Sequence, residues 1–317
     1  MNGAKMVFNS VQKFSTLAVL LAILISGILN LTSTGESLGW QIGFALVALT
    51  LGIPHGAIDH LVAIPATTKS KWYLLIFIYV VVAVIAVLAI LHWNKLGFQL
   101  VLVMSALHFG FGDAAFIAEK DRLNEKRRMT FKTQTMFAIS SGVIPVFIPL
   151  LKDTTASALR EINPVLIGWA SDVSPQIKFL VGFFYVATLI LLLKEKRFRE
   201  MVDLTLLAGL AIIAPPLVSF AVYFGLWHAM RHTSRLTLIF PKAIKEAERN
   251  SVKGSFIAVV VPGLPALFGA LLVALVIALI DGKNLDGSYL WYLLVVVWAL
   301  TVPHMIVTSK LDQKALA

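Results

Sequence analysis

The 317-residue sequence contains no cysteine, which excludes disulfide bonds, iron–sulfur clusters and thiolate metal sites. Charge is also scarce. Asp, Glu, Lys and Arg make up 14% of the chain, whereas a soluble domain carries about 25%. There is no internal repeat, low-complexity stretch or linker, and no polar segment long enough for a soluble domain. The apolar runs lack the period-two alternation of a membrane β-barrel, which excludes strands as the spanning elements. What is present is hydrophobic surface. The hydrophobic share is 58% and the mean hydropathy +0.85, more than one water-soluble core can bury. The expected fold class is therefore an all-α integral membrane protein, a polytopic bundle of about ten transmembrane helices, with residues 1–317 forming a single membrane domain.

Ten apolar runs stand out, at 14–32, 39–66, 72–92, 97–119, 131–151, 175–194, 200–214, 216–240, 255–280 and 288–308. The division at Pro215-Pro216 is the weakest, because a proline pair either breaks a helix or only kinks it. Charge favours the break. With ten spans and both termini cytoplasmic, 22 of the 27 lysines and arginines fall on the inner side, as the positive-inside tendency requires. The net charge of +10 thus reads as an orientation signal, and nucleic acid is not an expected partner. The location that follows is the inner, plasma membrane, in multi-pass form. The first run follows two lysines but has no small-x-small cleavage pattern after it, so it reads as an uncleaved helix. Residues 153–174, with Trp169 among polar neighbours, read as an outer loop or interfacial helix, and Arg231 as a side chain reaching the inner surface.

Ionisable side chains inside a span are costly and mark function. Of the seven histidines, His55 and His60 lie in the second run, His108 in the fourth, His228 and His232 in the eighth and His304 near the end of the tenth. Only His92 sits at an outer mouth. His55, His108 and His228 each fall about 11 or 12 residues from the cytoplasmic end of their spans, roughly 17 Å at 1.5 Å per residue. His232 is one turn from His228 on the same helical face. These four are the candidate metal ligands, drawn from the helices around 39–66, 97–119 and 216–240, with 288–308 as a further contributor. Neutral imidazoles without thiolates suit iron, zinc or copper. Asp59, four residues after His55, and Asp113, five after His108, are placed to accept ring N–H groups of the ligands. His60 and His304 are open between ligand and outer support. Gly52 and Gly56, and Gly110 and Gly112, allow close backbone approach. Phe109, Phe111, Tyr223, Phe224 and Trp227 are candidates for lining a substrate channel.

The ordered set Pro54-His55-Gly56-Ala57-Ile58-Asp59-His60, His108-Phe109-Gly110-Phe111-Gly112-Asp113, His228-Ala229-Met230-Arg231-His232 and Pro303-His304 resembles the Brp/Blh family of β-carotene 15,15′-dioxygenases. The resemblance runs from the second run to the tenth. It implies an integral membrane oxidoreductase that uses Fe(II) and O₂ to cleave the central double bond of β-carotene into two molecules of all-trans-retinal. It carries the iron ligands onto His55, His108, His228 and His232, and implies a microbial rhodopsin as the partner receiving retinal. No catalytic acid or base is assigned. The rival from another class is a histidine-based transporter or proton-coupled permease, which predicts repeat symmetry. A di-iron membrane hydroxylase or desaturase needs more histidine boxes than the single HxxxH here. A retinal-binding photoreceptor needs a mid-membrane lysine, and every lysine maps to a loop or span end.

Overall fold

The computed structural model describes residues 2–31, 38–59, 69–282 and 285–317; His60 lies outside them. Every regular element among the described residues is helical. In chain order these are α1 (Asn2–Leu31), α2 (Leu38–Gly52), α3 (Lys69–His92), α4 (Asn94–Leu123), α5 (Phe131–Leu150), α6 (Thr155–Ile162), α7 (Ser174–Lys194), α8 (Phe198–Ile213), α9 (Pro216–Ala221), α10 (Ala229–Leu236), α11 (Pro241–Glu248), α12 (Val252–Val260), α13 (Leu264–Asp281) and α14 (Leu285–Leu316). The protein is an all-α polytopic membrane protein.

Eight segments of the described chain are long and apolar enough to cross a membrane, rather than ten. The two that fall short are the expected seventh and eighth. α8 has 16 residues, about 24 Å at 1.5 Å per residue, less than the hydrocarbon core of about 30 Å. The segment from Pro216 to Leu236 carries Arg231 and Arg235 in its last two turns. The break at Pro215-Pro216 is real: α8 ends at Ile213 and a new helix starts at Pro216, where its missing N–H costs nothing. The ninth run is one span kinked at Pro262, with α12 and α13 joined by the 3₁₀ turn Val261–Gly263.

Burial sorts the spans into two layers. In the most apolar stretch of α4, 67% of residues are buried, against 11% in α3. α4 packs against α5, α14, α3 and α10, while α2 and α9 pack against each other and against the π-helical turn that follows α9. α1, α3, α7 and α13 present leucine, isoleucine, valine and phenylalanine outward, as lipid-facing helices should. α4 and α5 approach closely because Gly110 lies against the Ala138 carbonyl and Gly142 against that of Ala106, with no room for a Cβ at either position.

Residues 153–174 form no simple interfacial helix. α6 and the 3₁₀ turn Pro164–Leu166 fold over one end of the bundle. Leu166 and Trp169 are buried there, and the Trp169 ring packs edge-on to Phe98 at 5.7 Å. At the other end, buried ion pairs tie the helices together. Arg231 pairs with Asp203 of α8 at 2.9 Å, and Arg235 is held between Glu119 of α4 at 2.9 Å and Asp312 of α14 at 2.6 Å. Arg231 is 1% exposed, so it does not reach the inner surface. Its charge is met inside by a carboxylate, which burial makes obligatory.

Candidate metal centre

Each histidine reaches the centre through a different local device. α2 ends at Gly52 and continues as the single 3₁₀ turn Ile53–His55, with Pro54 inside it. The His55 ring turns back so that Nδ1–H donates to the Gly52 carbonyl, which leaves Nε2 as its free nitrogen. This turn is braced from outside by Gly263, where a Cβ would run into the Pro54 backbone. His108 projects from the buried middle of α4. His228 closes a π-helical stretch, Val222–His228, a form that concentrates at functional sites, and His232 follows one turn later on α10. His304 follows Pro303 in α14.

These elements bring five imidazoles together. His55, His228, His108 and His304 form a closed ring, with successive centroid separations of 5.5, 4.9, 4.8 and 5.4 Å. His232 lies 5.2 Å from His55, 5.6 Å from His304, 6.0 Å from His228 and 6.3 Å from His108, and it and His304 border the group of three whose nitrogens converge without belonging to it. Nitrogens of His55, His108 and His228 converge to within 4.8 Å of one another. All five rings are buried. Nε2 of His108, His228 and His304 and both nitrogens of His232 have no hydrogen-bond partner among the described residues. Several unpaired polar atoms on one buried spot are expensive unless something binds there, and a set of convergent lone pairs fits a transition metal. The residues present therefore fit a bound metal, with imidazole as the donor.

The two carboxylates occupy different places from those the spacing suggests. Asp59 does not serve His55, because the helix has already ended and Gly56–Ile58 turn away. It accepts instead from Nδ1 of His304 at 2.8 Å and from the Tyr79 hydroxyl at 3.0 Å. Asp113 does not serve His108. Five residues on an α-helix advance the direction by about 140°, and Asp113 accepts from Nε1 of Trp227 at 2.8 Å. Arg231 lies over the Trp227 ring at 3.4 Å. Arg231 thus braces the Trp227–Asp113 pair beneath the histidines.

His304 sits within the cluster, deeper than expected, because α14 continues to Leu316 and leaves twelve residues beyond it. His92 lies apart, exposed at the end of α3 against Trp93. Small residues keep the rings close: Gly56 faces the His304 ring and Gly112 the His228 ring, and a Cβ at Gly52 would strike Phe224. Sequence reasoning missed Tyr79 and Arg235. An arginine pair four apart within the eighth apolar run, with acids in other spans, was the signal for the second; Tyr79 had none.

Two cavities meet at Phe109 and Phe224, and histidines border the larger one only. One of about 420 Å³, bordered by His55, His108 and His304, lies between α3 and α14 and reaches Val80, which is half-exposed on the outer face of α3. The other, about 130 Å³ and almost wholly apolar, extends toward α6. Phe109 and Phe224 line both, and Tyr223 lines the second. Phe111 faces a third cavity, more polar, on the far side of His108. Trp227 borders none of the three; it is fully buried as the partner of Asp113 and Arg231.

A family model described as β-carotene 15,15′-dioxygenase matches residues 46–312. Among curated proteins, the chain is 23% identical over 286 residues to Blh of Halobacterium salinarum, described as a probable β-carotene 15,15′-dioxygenase. That match covers 84% of this chain and 82% of the relative. It is 29% identical over 196 residues to a β-carotene 15,15′-dioxygenase from an uncultured marine bacterium, 66A03, covering 58% of this chain and 65% of that one. No solved structure matches.

Proposed function

Since the chain belongs to the β-carotene 15,15′-dioxygenase family, we propose that it is an iron-dependent membrane dioxygenase that cleaves the central 15,15′ double bond of β-carotene with O₂ to give two molecules of all-trans-retinal. The observation that carries this reading is the cluster of five buried imidazoles, with nitrogens unpartnered, on the wall of an apolar cavity that reaches the lipid-facing side of α3. His55, His108, His228 and His232 hold the metal. His304 completes the set from α14 through Nε2, its Nδ1 being engaged by Asp59. Bound iron supplies the one-electron activation of O₂ that side chains cannot.

The chain's own residues bind, orient and exclude water. A carotenoid has no charged handle, so position comes from shape and from aromatic walls, which Phe109 and Phe224 provide against the histidines. Addition of O₂ across one alkene breaks the carbon–carbon and oxygen–oxygen bonds and forms two carbonyls. No proton changes place, so the site needs no general acid or base and none is assigned. Hydrogen bonds donated by His55 Nδ1 to the Gly52 carbonyl and by His304 Nδ1 to Asp59 instead fix two rings with their Nε2 lone pairs free. The reading carries with it a plasma-membrane location with both termini cytoplasmic, and a retinal-accepting microbial rhodopsin as partner. Expression in bacteria that make β-carotene tests it. The orange colour fades and retinal accumulates. Unchanged carotenoid beside membrane-inserted, iron-loaded protein would overturn the assignment.

A further inference from the structure

We propose that the smaller, apolar cavity seats one end ring of the carotenoid, and that its far wall determines which double bond reaches the histidines; this rests on the dioxygenase reading above. The cavity shares Phe109, Phe224, Val297 and Thr301 with the larger one. Two of these touch the metal centre: the Phe109 ring is 4.4 Å from that of His228, and the Phe224 ring 5.9 Å from that of His55. From this partition the cavity follows one face of α4 past Leu102 to Phe98. His108 and Phe98 are ten residues apart in α4, about 15 Å at 1.5 Å per residue. That is comparable with the extended length of half a carotenoid.

The far end is covered by the segment folded over the bundle. Leu159 and Ile162 of α6 and Leu166 of the next turn line it, and all three are buried. Of the four hydroxyls on the wall, three are committed to carbonyl oxygens, Thr155 to Pro149, Tyr223 to Ser141 and Thr301 to Val297, and Ser105 is the fourth. At 130 Å³ the cavity is somewhat smaller than the dry apolar cavity of about 150 Å³ that holds benzene, so the ring and its half of the polyene enter only as the wall side chains give way. The rest of the molecule belongs in the 420 Å³ cavity.

A conjugated polyene is stiff. With its ring against a fixed wall, the distance from ring to each double bond is fixed, and so is the bond presented to the histidines. The molecule is symmetric, so either end serves. Phe109 and Phe224 stand where the polyene must pass and turn aside to admit it.

The test uses the full-length, iron-loaded protein in detergent with β-carotene. Aldehydes are identified by chromatography and mass, and metal per chain is measured for every variant. The unmodified chain gives two equal halves. Leu166→Ala deepens the seat and adds an unequal pair of aldehydes, cut nearer the far ring. Ala158→Phe fills it and lowers turnover by about tenfold or more with metal per chain unchanged. Wild-type rate and wild-type product ratio in both variants would overturn the proposal. If either variant fails to accumulate, Leu166→Val and Ala158→Val are read for the same, smaller shifts. Failure of the unmodified chain to make any retinal counts against the dioxygenase reading alone. The seat is then judged by β-carotene binding, read from its visible absorption. Ala158→Phe binds at least about tenfold more weakly if the seat is real, and equal binding refutes it.

Discussion

Nδ1 of His304 donates to Oδ2 of Asp59 at 2.8 Å across 245 residues of chain, and the Tyr79 hydroxyl donates to the same oxygen at 3.0 Å. Three elements thus meet on one carboxylate: the turn after His55, α3 and α14. The hydrogen bond settles the tautomer of His304 and aims Nε2 at the other imidazoles. Supports of this kind tune metal affinity without touching the metal.

Asp59→Asn is expected to weaken metal binding by about 10–100-fold, and Tyr79→Phe by less. Competition with a chromophoric chelator measures both. Unaltered affinity in Asp59→Asn would show that His304 does not bind the metal through this support.

The histidines should separate cleanly by metal content. His55→Ala, His108→Ala, His228→Ala and His232→Ala lose most bound iron and all turnover, whereas His92→Ala, exposed at the end of α3, keeps both. Elemental analysis of purified protein reads the difference. Equal iron in His92→Ala and His228→Ala would refute the ligand set.

Helix contact predicts a contrast among glycines. Gly110→Ala and Gly142→Ala drive a methyl into a facing carbonyl and should destabilise by about 1–3 kcal/mol, as overpacking does. Gly182→Ala and Gly269→Ala meet open space and should be neutral or gain up to about 1 kcal/mol of helix propensity. Thermal midpoints in detergent rank the four, and a lower midpoint for Gly182→Ala than for Gly110→Ala would contradict the packing.

Buried charge should matter far more than exposed charge. Arg235→Met strands Glu119 and Asp312, both buried, at a cost of about 3–5 kcal/mol. Arg249→Ala removes a surface pair with Glu246, the Arg249 side chain being 67% exposed, and costs no more than about 1 kcal/mol. Denaturation of the two variants under one condition distinguishes these values.

Much of the centre was legible because the cost of polar groups in lipid leaves a mark in sequence. Depth and spacing single out His55, His108, His228 and His232, and the structure brings their rings together. His304 reads as nearer the surface than it is, because the apolar run stops at residue 308 while the helix continues to Leu316. A polar, lysine-bearing tail reads as loop even when it is helical. Asp59 and Asp113 stand out as carboxylates within spans, but spacing points to the wrong partner for each. Periodicity assumes an unbroken helix for the first and ignores the rotation of a five-residue step for the second. Arg231 reads as a side chain reaching the inner surface, since only a three-dimensional arrangement reveals Asp203 opposite it. The Pro215-Pro216 break was readable from covalent chemistry, but not that the flanking pieces are too short or too charged to count as full spans.

The cavity beside Val80 lies between α3 and α14, on a flank whose neighbours Phe77 and Val84 face outward. Traffic through that flank takes place in two dimensions. The quantity that sets occupancy of the site is the mole fraction of carotenoid per lipid, and the volume of water around the membrane is irrelevant. Diluting the bilayer with inert lipid should therefore slow the reaction, while diluting the suspension with buffer should leave the rate per enzyme unchanged.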